Sequence, residues 1–319
     1  MDRPYTGRSL RASRAITATA WTVLAVGLAA PLVRRRARLA PPVVTLAAAA
    51  APFALCVTRP RTPTRDVGTC LLQMWAYLAT YEMPHDDPER LAARVHVAYP
   101  VAIDRVLGLG TPPGLRLQRL FARPERTQPF EKVLIWSHWL WFFVPHGTVA
   151  YVLVRHRSRF ERTALMMYGV FDVGVLFYWA LPTAPPWYAA AHGYMEDFAT
   201  PRVRRMMLEY GEQFWRDRWT SLYDLLGGNP LAAMPSLHFA TSVMAAHLLG
   251  EVGSLAGALG WGYALTLGLA LIYLGEHYVI DLLAGLALTE AVRTQGPRAA
   301  PLLRRVSHGL QTLEARARP

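Results

Sequence analysis

Residues Leu255 to Tyr273 read LAGALGWGYALTLGLALIY, a run without a single charged side chain. A helix rises about 1.5 Å per residue, so roughly 20 apolar residues reach across the ~30 Å hydrocarbon core of a bilayer. Working outward, seven further runs share this character: Ala15 to Val33, Leu39 to Val57, Val67 to Met83, Val133 to Val154, Thr163 to Leu181, Met234 to Gly250 and Glu276 to Val292. The third is the weakest. Gln73 and Thr80 interrupt it, and it also fits an interfacial helix with Trp75, Tyr77 and Tyr81 at headgroup depth. No alternating strand pattern is visible, and backbone in lipid must satisfy its own hydrogen bonds. The expected fold is therefore an all-α, polytopic membrane helical bundle of about eight transmembrane helices.

Composition narrows the function classes. Of the 319 residues, 53% are hydrophobic and 18% charged, which excludes a disordered chain. Two cysteines, Cys56 and Cys70, are too few and too far apart for a disulfide scaffold or a cysteine-rich metal module. The net charge of +12 comes from 34 basic residues, all but Lys132 being Arg, clustered beside apolar runs. In that setting arginine is a topology signal, and no nucleic-acid partner is expected. Arg155, Arg157, Arg159 and Arg162 between two spans, and the basic tail after Val292, belong on the cytoplasmic side. Eight crossings then place both termini inside, and the loops Pro84 to Lys132 and Pro182 to Ala233 outside. Arg34, Arg35, Arg36 and Arg38 conflict with this scheme, because they fall in an external loop. The expected organisation is an accessory hairpin over 1–66, a weak helix with an external amphipathic loop over 67–132, a working core over 133–293 containing the external loop 182–233, and a basic tail over 294–319.

Ionisable groups at membrane depth are expensive and therefore point to function. Two stretches gather them. Asn229-Pro-Leu-Ala-Ala-Met-Pro-Ser-Leu-His238 opens the sixth run, with Pro235 suited to a first helical turn. Gly275-Glu-His-Tyr-Val-Ile-Asp281 opens the eighth. His277 and Asp281 are four residues apart, so on a helix the carboxylate reaches the imidazole, fixes its tautomer and favours a developing imidazolium. Between the stretches the chain runs inward and returns, so His238 and His277 begin helices on the same outer side. Two imidazoles and a carboxylate near helix N termini, whose free N–H groups attract anions, describe phosphoryl transfer through a covalent intermediate.

Pro235-Ser-Leu-His238 together with His277-x-x-x-Asp281 resembles the second and third signature motifs of the type 2 phosphatidic acid phosphatase superfamily. The Leu of Pro-Ser-Leu-His and the stretch Pro182-Thr-Ala-Pro-Pro-Trp187 are similar to its inositol phosphorylceramide synthase branch and actinobacterial relatives. The resemblance covers Val133 to Val292 and implies a six-helix phosphatase-type core. It implies His277 as the nucleophile, Asp281 as its orienting partner and His238 as the acid at the leaving oxygen. Ser236 and Pro235 would line the phosphate site, with no cofactor and no metal. Two departures stand out: Ala270 and Leu271 replace the family's Ser-Arg pair, and no Lys precedes Pro182. Compensating charge is expected from Arg202, Arg204 or Arg205, preferably bidentate. His138 is a further substrate-binding candidate.

The resulting expectation is a multi-pass enzyme of the cell membrane with an extracytoplasmic site. It acts on a lipid phosphate, with water or an alcohol such as inositol as acceptor. Two alternatives stand beside it. One is a metal-dependent hydrolase using His238, His277 and Asp281 as ligands and Glu276 as base. The other is a transporter whose buried His and Asp groups line a polar path, against which the lack of an inverted repeat counts.

Overall fold

A computed structural model describes residues 7–123, 126–196, 198, 202–221 and 228–318. Parts of the loop expected over 182–233 thus lie outside the described residues. The chain is all-helical, with the order α1 Gly7–Val33, α2 Pro41–Thr58, α3 Pro63–Glu82, α4 Pro88–Ala92, α5 Ala98–Leu107, α6 Pro113–Phe121, α7 Pro129–Leu140, α8 Val144–Arg155, α9 Phe160–Ala180, α10 Pro186–Ala191, α11 Met206–Trp215, α12 Leu237–Gly250, α13 Ser254–Tyr273 and α14 Val279–Ala317. Among the described residues, four stretches are long and apolar enough to cross a membrane: Leu10–Val33, Pro41–Thr58, Arg157–Ala180 and Ser254–Tyr273. The chain divides into two compact units, one of residues 1–86 with 294–319 and one of 87–293.

In the first unit small residues let helices approach closely. A Cβ at Gly27 would lie 2.5 Å from the Ala47 carbonyl oxygen and 2.8 Å from the Ala51 methyl, so the alanine run of α2 is a packing face for α1. The helix α3 lines the hairpin along its length: Trp75 Nε1 donates to the Gly27 carbonyl at 3.2 Å, and Thr45 and Thr80 hydroxyls lie 3.2 Å apart. The arginines that conflict with the charge rule are partly neutralised here. Arg34 pairs with Glu82 at 3.2 Å and Asp86 at 2.7 Å, and Arg35 with Asp86 at 2.6 Å. Burial alone would raise the Asp86 carboxyl, but the hydrogen bonds from Arg34 and Arg35 outweigh it and hold it below the usual range. The basic tail is helical and docked, with Arg65 on Glu314 at 2.9 Å and the Ser13 hydroxyl donating to the Ala317 carbonyl at 2.8 Å.

In the second unit the single span expected over Val133 to Val154 is two helices, α7 and α8, joined by a turn at Trp141 to Phe143. Pro145 accounts for the break. It lacks the N–H that would bond the Trp141 carbonyl, and its ring clashes with the carbonyl four residues earlier. The hairpin of α12 and α13 is closed by glycine: a Cβ on Gly257 would sit 2.7 Å from the Gly250 Cα. Helices α12 and α14 meet along their first turns, where Ser236 N–H donates to the Asp281 carbonyl at 3.0 Å and the Thr289 hydroxyl to the Ala240 carbonyl at 2.8 Å.

Both motif helices start later than expected. The sequence reading began them at Met234 and Glu276, whereas α12 starts at Leu237 and α14 at Val279. Pro235 therefore precedes the cap rather than occupying the first turn. Ser236 is the N-cap, its hydroxyl accepting from Phe239 N–H at 3.3 Å.

Gly285 lies where α14 passes Ser236, and a Cβ there would meet the Ser236 carbonyl oxygen at 2.6 Å. Alanine in a helix interior gains up to about 1 kcal/mol over glycine, while overpacking costs about 1–3 kcal/mol, so the clash should dominate. Gly285→Ala is expected to lower the unfolding temperature of the purified protein, and Gly262→Ala, with nothing within 4 Å of its added Cβ, to leave it unchanged or raise it. In the first unit, Asp86→Ala leaves Arg34, whose side chain is 12% exposed, with only Glu82 and the Pro31 carbonyl as partners, and is expected to cost about 1–3 kcal/mol in chemical unfolding.

Candidate active site

The out-and-back path of α12 and α13 brings the two motifs together. His238 Nδ1 lies 3.3 Å from His277 Nε2, and His277 Nδ1 lies 3.3 Å from Asp281 Oδ2. His277 is 5% exposed and Asp281 is fully buried. The contact between His277 and Asp281 does not arise on a helix face, because His277 sits in the turn before α14. Gly275, at φ 75°, makes that turn in the left-handed region that glycine favours. Asp281, in the first turn of α14, reaches back to accept from Tyr278 N–H at 2.9 Å while facing His277.

Aromatic rings fix the second imidazole. The ring centroid of Trp141 is 4.1 Å from that of His238, and His138 is 4.8 Å away on another side. The Trp141 indole N–H donates to the Thr241 hydroxyl at 2.8 Å, which locks it in place. His138, 6% exposed on α7, thus joins the cluster, and its Nδ1 is buried without a hydrogen-bond partner. The break at Trp141 to Phe143 has a use at this point, since it turns the indole toward α12.

The loop residues predicted to hold phosphate fall in different places. Arg202 is exposed. Arg204 is committed elsewhere, with its guanidinium 2.6 Å from Glu209 and its backbone N–H on Gln118 at 2.8 Å. The Arg205 guanidinium lies over the Trp187 ring at 4.0 Å, in the field of Glu276. The Trp187 N–H in turn donates to the Gly275 carbonyl at 3.3 Å, so the stretch Pro182 to Trp187 braces the turn that carries His277. Pro235 offers its carbonyl to the Tyr178 hydroxyl at 3.0 Å. Ser236 is fully buried beside the histidines.

One expectation about helix ends needs correction. The N terminus of α14 is not open to an anion, because its first N–H groups are already taken. Tyr278 N–H bonds Asp281, and Val279 and Ile280 N–H bond Asp104 at 2.9 and 3.1 Å. Asp104 comes from α5, far from either motif, and nothing in its local sequence marked it. Burial pushes its carboxyl up to about 6, against the pull of those two N–H groups. Trp141 likewise belongs to no motif, lying within the aromatic run Trp136 to Phe143. Among the described residues no group of three or more His, Cys, Asp or Glu side chains is placed to hold a metal ion.

An all-helical chain with apolar spans, carrying two imidazoles and a carboxylate in hydrogen-bonding series, defines a class of membrane protein built around a histidine–histidine–aspartate site. The chain belongs to the PAP2 superfamily, whose family model matches residues 99–293. It is 32% identical over 142 residues to a phosphoinositol dihydroceramide synthase of Bacteroides thetaiotaomicron, covering 42% of this chain and 44% of that one. It is 28% identical over 173 residues to the inositol phosphorylceramide synthase catalytic subunit aur1 of Schizosaccharomyces pombe, covering 52% of this chain and 36% of that one. The matches thus span less than half the length of these curated relatives. No solved structure matches the chain.

Proposed function

We propose that the protein is a membrane-embedded lipid phosphotransferase that works through a phosphohistidine on His277 at the extracytoplasmic side. The observation that carries this reading is the series Asp281 Oδ2, His277 Nδ1, His277 Nε2, His238 Nδ1, with both hydrogen-bonding gaps at 3.3 Å. Asp281 keeps a proton on His277 Nδ1, which leaves the lone pair on Nε2. That lone pair forms a bond to phosphorus as the bond from phosphorus to the leaving oxygen breaks, and His238 gives its Nδ1 proton to that oxygen. In the second half His238 takes the proton of an acceptor hydroxyl, whose oxygen bonds phosphorus as the phosphorus–nitrogen bond breaks. The phosphate enters by replacing the direct contact between the two rings.

Several features support the details. Arg205, held flat on Trp187 beside the turn that carries His277, suits the role of phosphate-binding cation, whereas Arg204 is tied to Glu209. The arginines at 155, 157, 159 and 162 lie at or just before the start of α9, which then leads to the loop at Pro182 on the His238 side, so the positive-inside rule favours an extracytoplasmic site. The two relatives are named for joining phosphoinositol to ceramides, which favours an alcohol over water as acceptor and an inositol-bearing lipid phosphate as donor.

The test is to incubate the purified protein with radiolabelled lipid phosphates, with and without an alcohol acceptor, and to ask whether acid-labile, base-stable label is trapped. Label on His277 that is absent from His277→Ala supports the reading, and its absence from wild type during turnover overturns it. His238→Ala is expected to slow turnover about 10²–10⁴-fold. Arg205→Ala should weaken kcat/KM about 10-fold or more, a loss that Arg205→Lys does not fully restore, while Arg204→Ala should act mainly on thermal stability.

A further inference from the structure

We propose that Asp104 is a positioning residue for His277, acting through the N terminus of α14 and through Asp281. The inference rests on the reading of His277 as nucleophile and goes beyond it. Asp104 is 1% exposed, and both its oxygens are used: Oδ2 accepts from Val279 N–H at 2.9 Å and Oδ1 from Ile280 N–H at 3.1 Å. Asp281 takes the neighbouring Tyr278 N–H at 2.9 Å through the same Oδ2 that faces His277. Three consecutive N–H groups are thus divided between two carboxylates.

That arrangement is costly if its purpose is only to start a helix. Two like charges at one helix end repel each other, each loses hydration on burial, and a residue such as Asp281 in the first turn can cap by itself. The division of labour explains the second carboxylate. With Val279 and Ile280 satisfied from α5, Asp281 is left to bridge Tyr278 N–H and the imidazole. Without Asp104, the two stranded N–H groups compete for Asp281 and draw it off His277 Nδ1. The same part of the chain grips the other side of the turn. Gln118 Nε2 donates to the Tyr273 carbonyl at 2.7 Å, and Gly114 passes so close that a Cβ would lie 2.8 Å from the Ile272 carbonyl oxygen. Residues 104 to 118 therefore clamp the turn 274–278 before and after His277.

The test uses full-length protein in lipid vesicles, with Asp104→Ala and Asp104→Asn beside wild type and Asp281→Ala. Nitrogen-15 labelling of histidine reads the tautomer of His277, assigned by comparison with His277→Ala, and needs no substrate. The bonded Nδ1–H signal is expected to be lost in Asp104→Ala as in Asp281→Ala, and to return in part in Asp104→Asn, which keeps an oxygen acceptor for one of the two N–H groups. Turnover of a lipid phosphate should show kcat lower by about 10–100-fold in Asp104→Ala with KM within about twofold, the signature of a misplaced nucleophile rather than lost binding. An intact Nδ1–H signal in folded Asp104→Ala, or an Asn variant no better than Ala, overturns the proposal. If wild type shows the bonded tautomer but never labels His277 during turnover, the phosphohistidine reading falls while the positioning of the ring by Asp104 stands.

Discussion

One backbone hydrogen bond, from Ser236 N–H to the Asp281 carbonyl, joins the start of α12 to the start of α14. It fixes the height of one histidine relative to the other, because His238 follows Ser236 by two residues and His277 precedes Asp281 by four. The bond forms only because Gly285 lets the two backbones approach, with the Ser236 carbonyl oxygen 2.6 Å from where a Cβ would stand. The Thr289 hydroxyl on the Ala240 carbonyl repeats the contact one turn deeper. The imidazole pair is thus a consequence of helix registry rather than of side-chain attraction. Two neutral rings at 3.3 Å gain little by themselves, whereas a shift of one helical turn along this seam would separate them by about 5 Å.

Charge is distributed around this seam with little waste. Asp281 and Asp104 crowd the first turn of α14, where the helix dipole and three N–H groups lower the cost of burying them. Glu276 lies just before, in the field of Arg205. The acidic groups therefore sit behind His277, and the cation sits to one side. Where the family pattern has Ser-Arg, Ala270 is fully buried among Leu134, Ile135 and Tyr273, and Leu271 packs against Leu267 and Leu282.

The fold class and the meeting of His238 with His277 were legible from apolar run length and from one topological step, the return of α13 after α12. Both depend on local pattern alone. The helix starts were not, since a run such as Glu276 to Val292 reads as helical from its first residue although α14 begins at Val279. The break at Trp141 was marked by Pro145 but was hidden within an apolar run long enough to span. Asp104 lay beyond reach for a different reason. It accepts from the Val279 N–H across 175 residues of sequence, and no spacing rule links an acid in α5 to the N–H groups of α14.

Around the candidate site the backbone is repeatedly irregular: the turn at Trp141 to Phe143, the extended stretch Pro182 to Pro185, the approach to α12 and the turn 274–278. Irregular backbone is tolerated at membrane depth only where other protein groups satisfy it. Here they do so for one another. His96 N–H donates to the Pro182 carbonyl, Ala184 N–H to the His96 carbonyl, Thr183 N–H to the Leu231 carbonyl and Ala233 N–H to the Thr183 carbonyl, a short ladder among segments that no helix connects. The Tyr99 hydroxyl on Thr183 at 2.9 Å ties α5, and hence Asp104, into the same ladder. The polar backbone that a regular bundle would hide is thereby spent on holding loops from four parts of the chain in one place. Each helix that feeds the site ends where it must in order to deliver a side chain, and the ends are stable because they finish against one another.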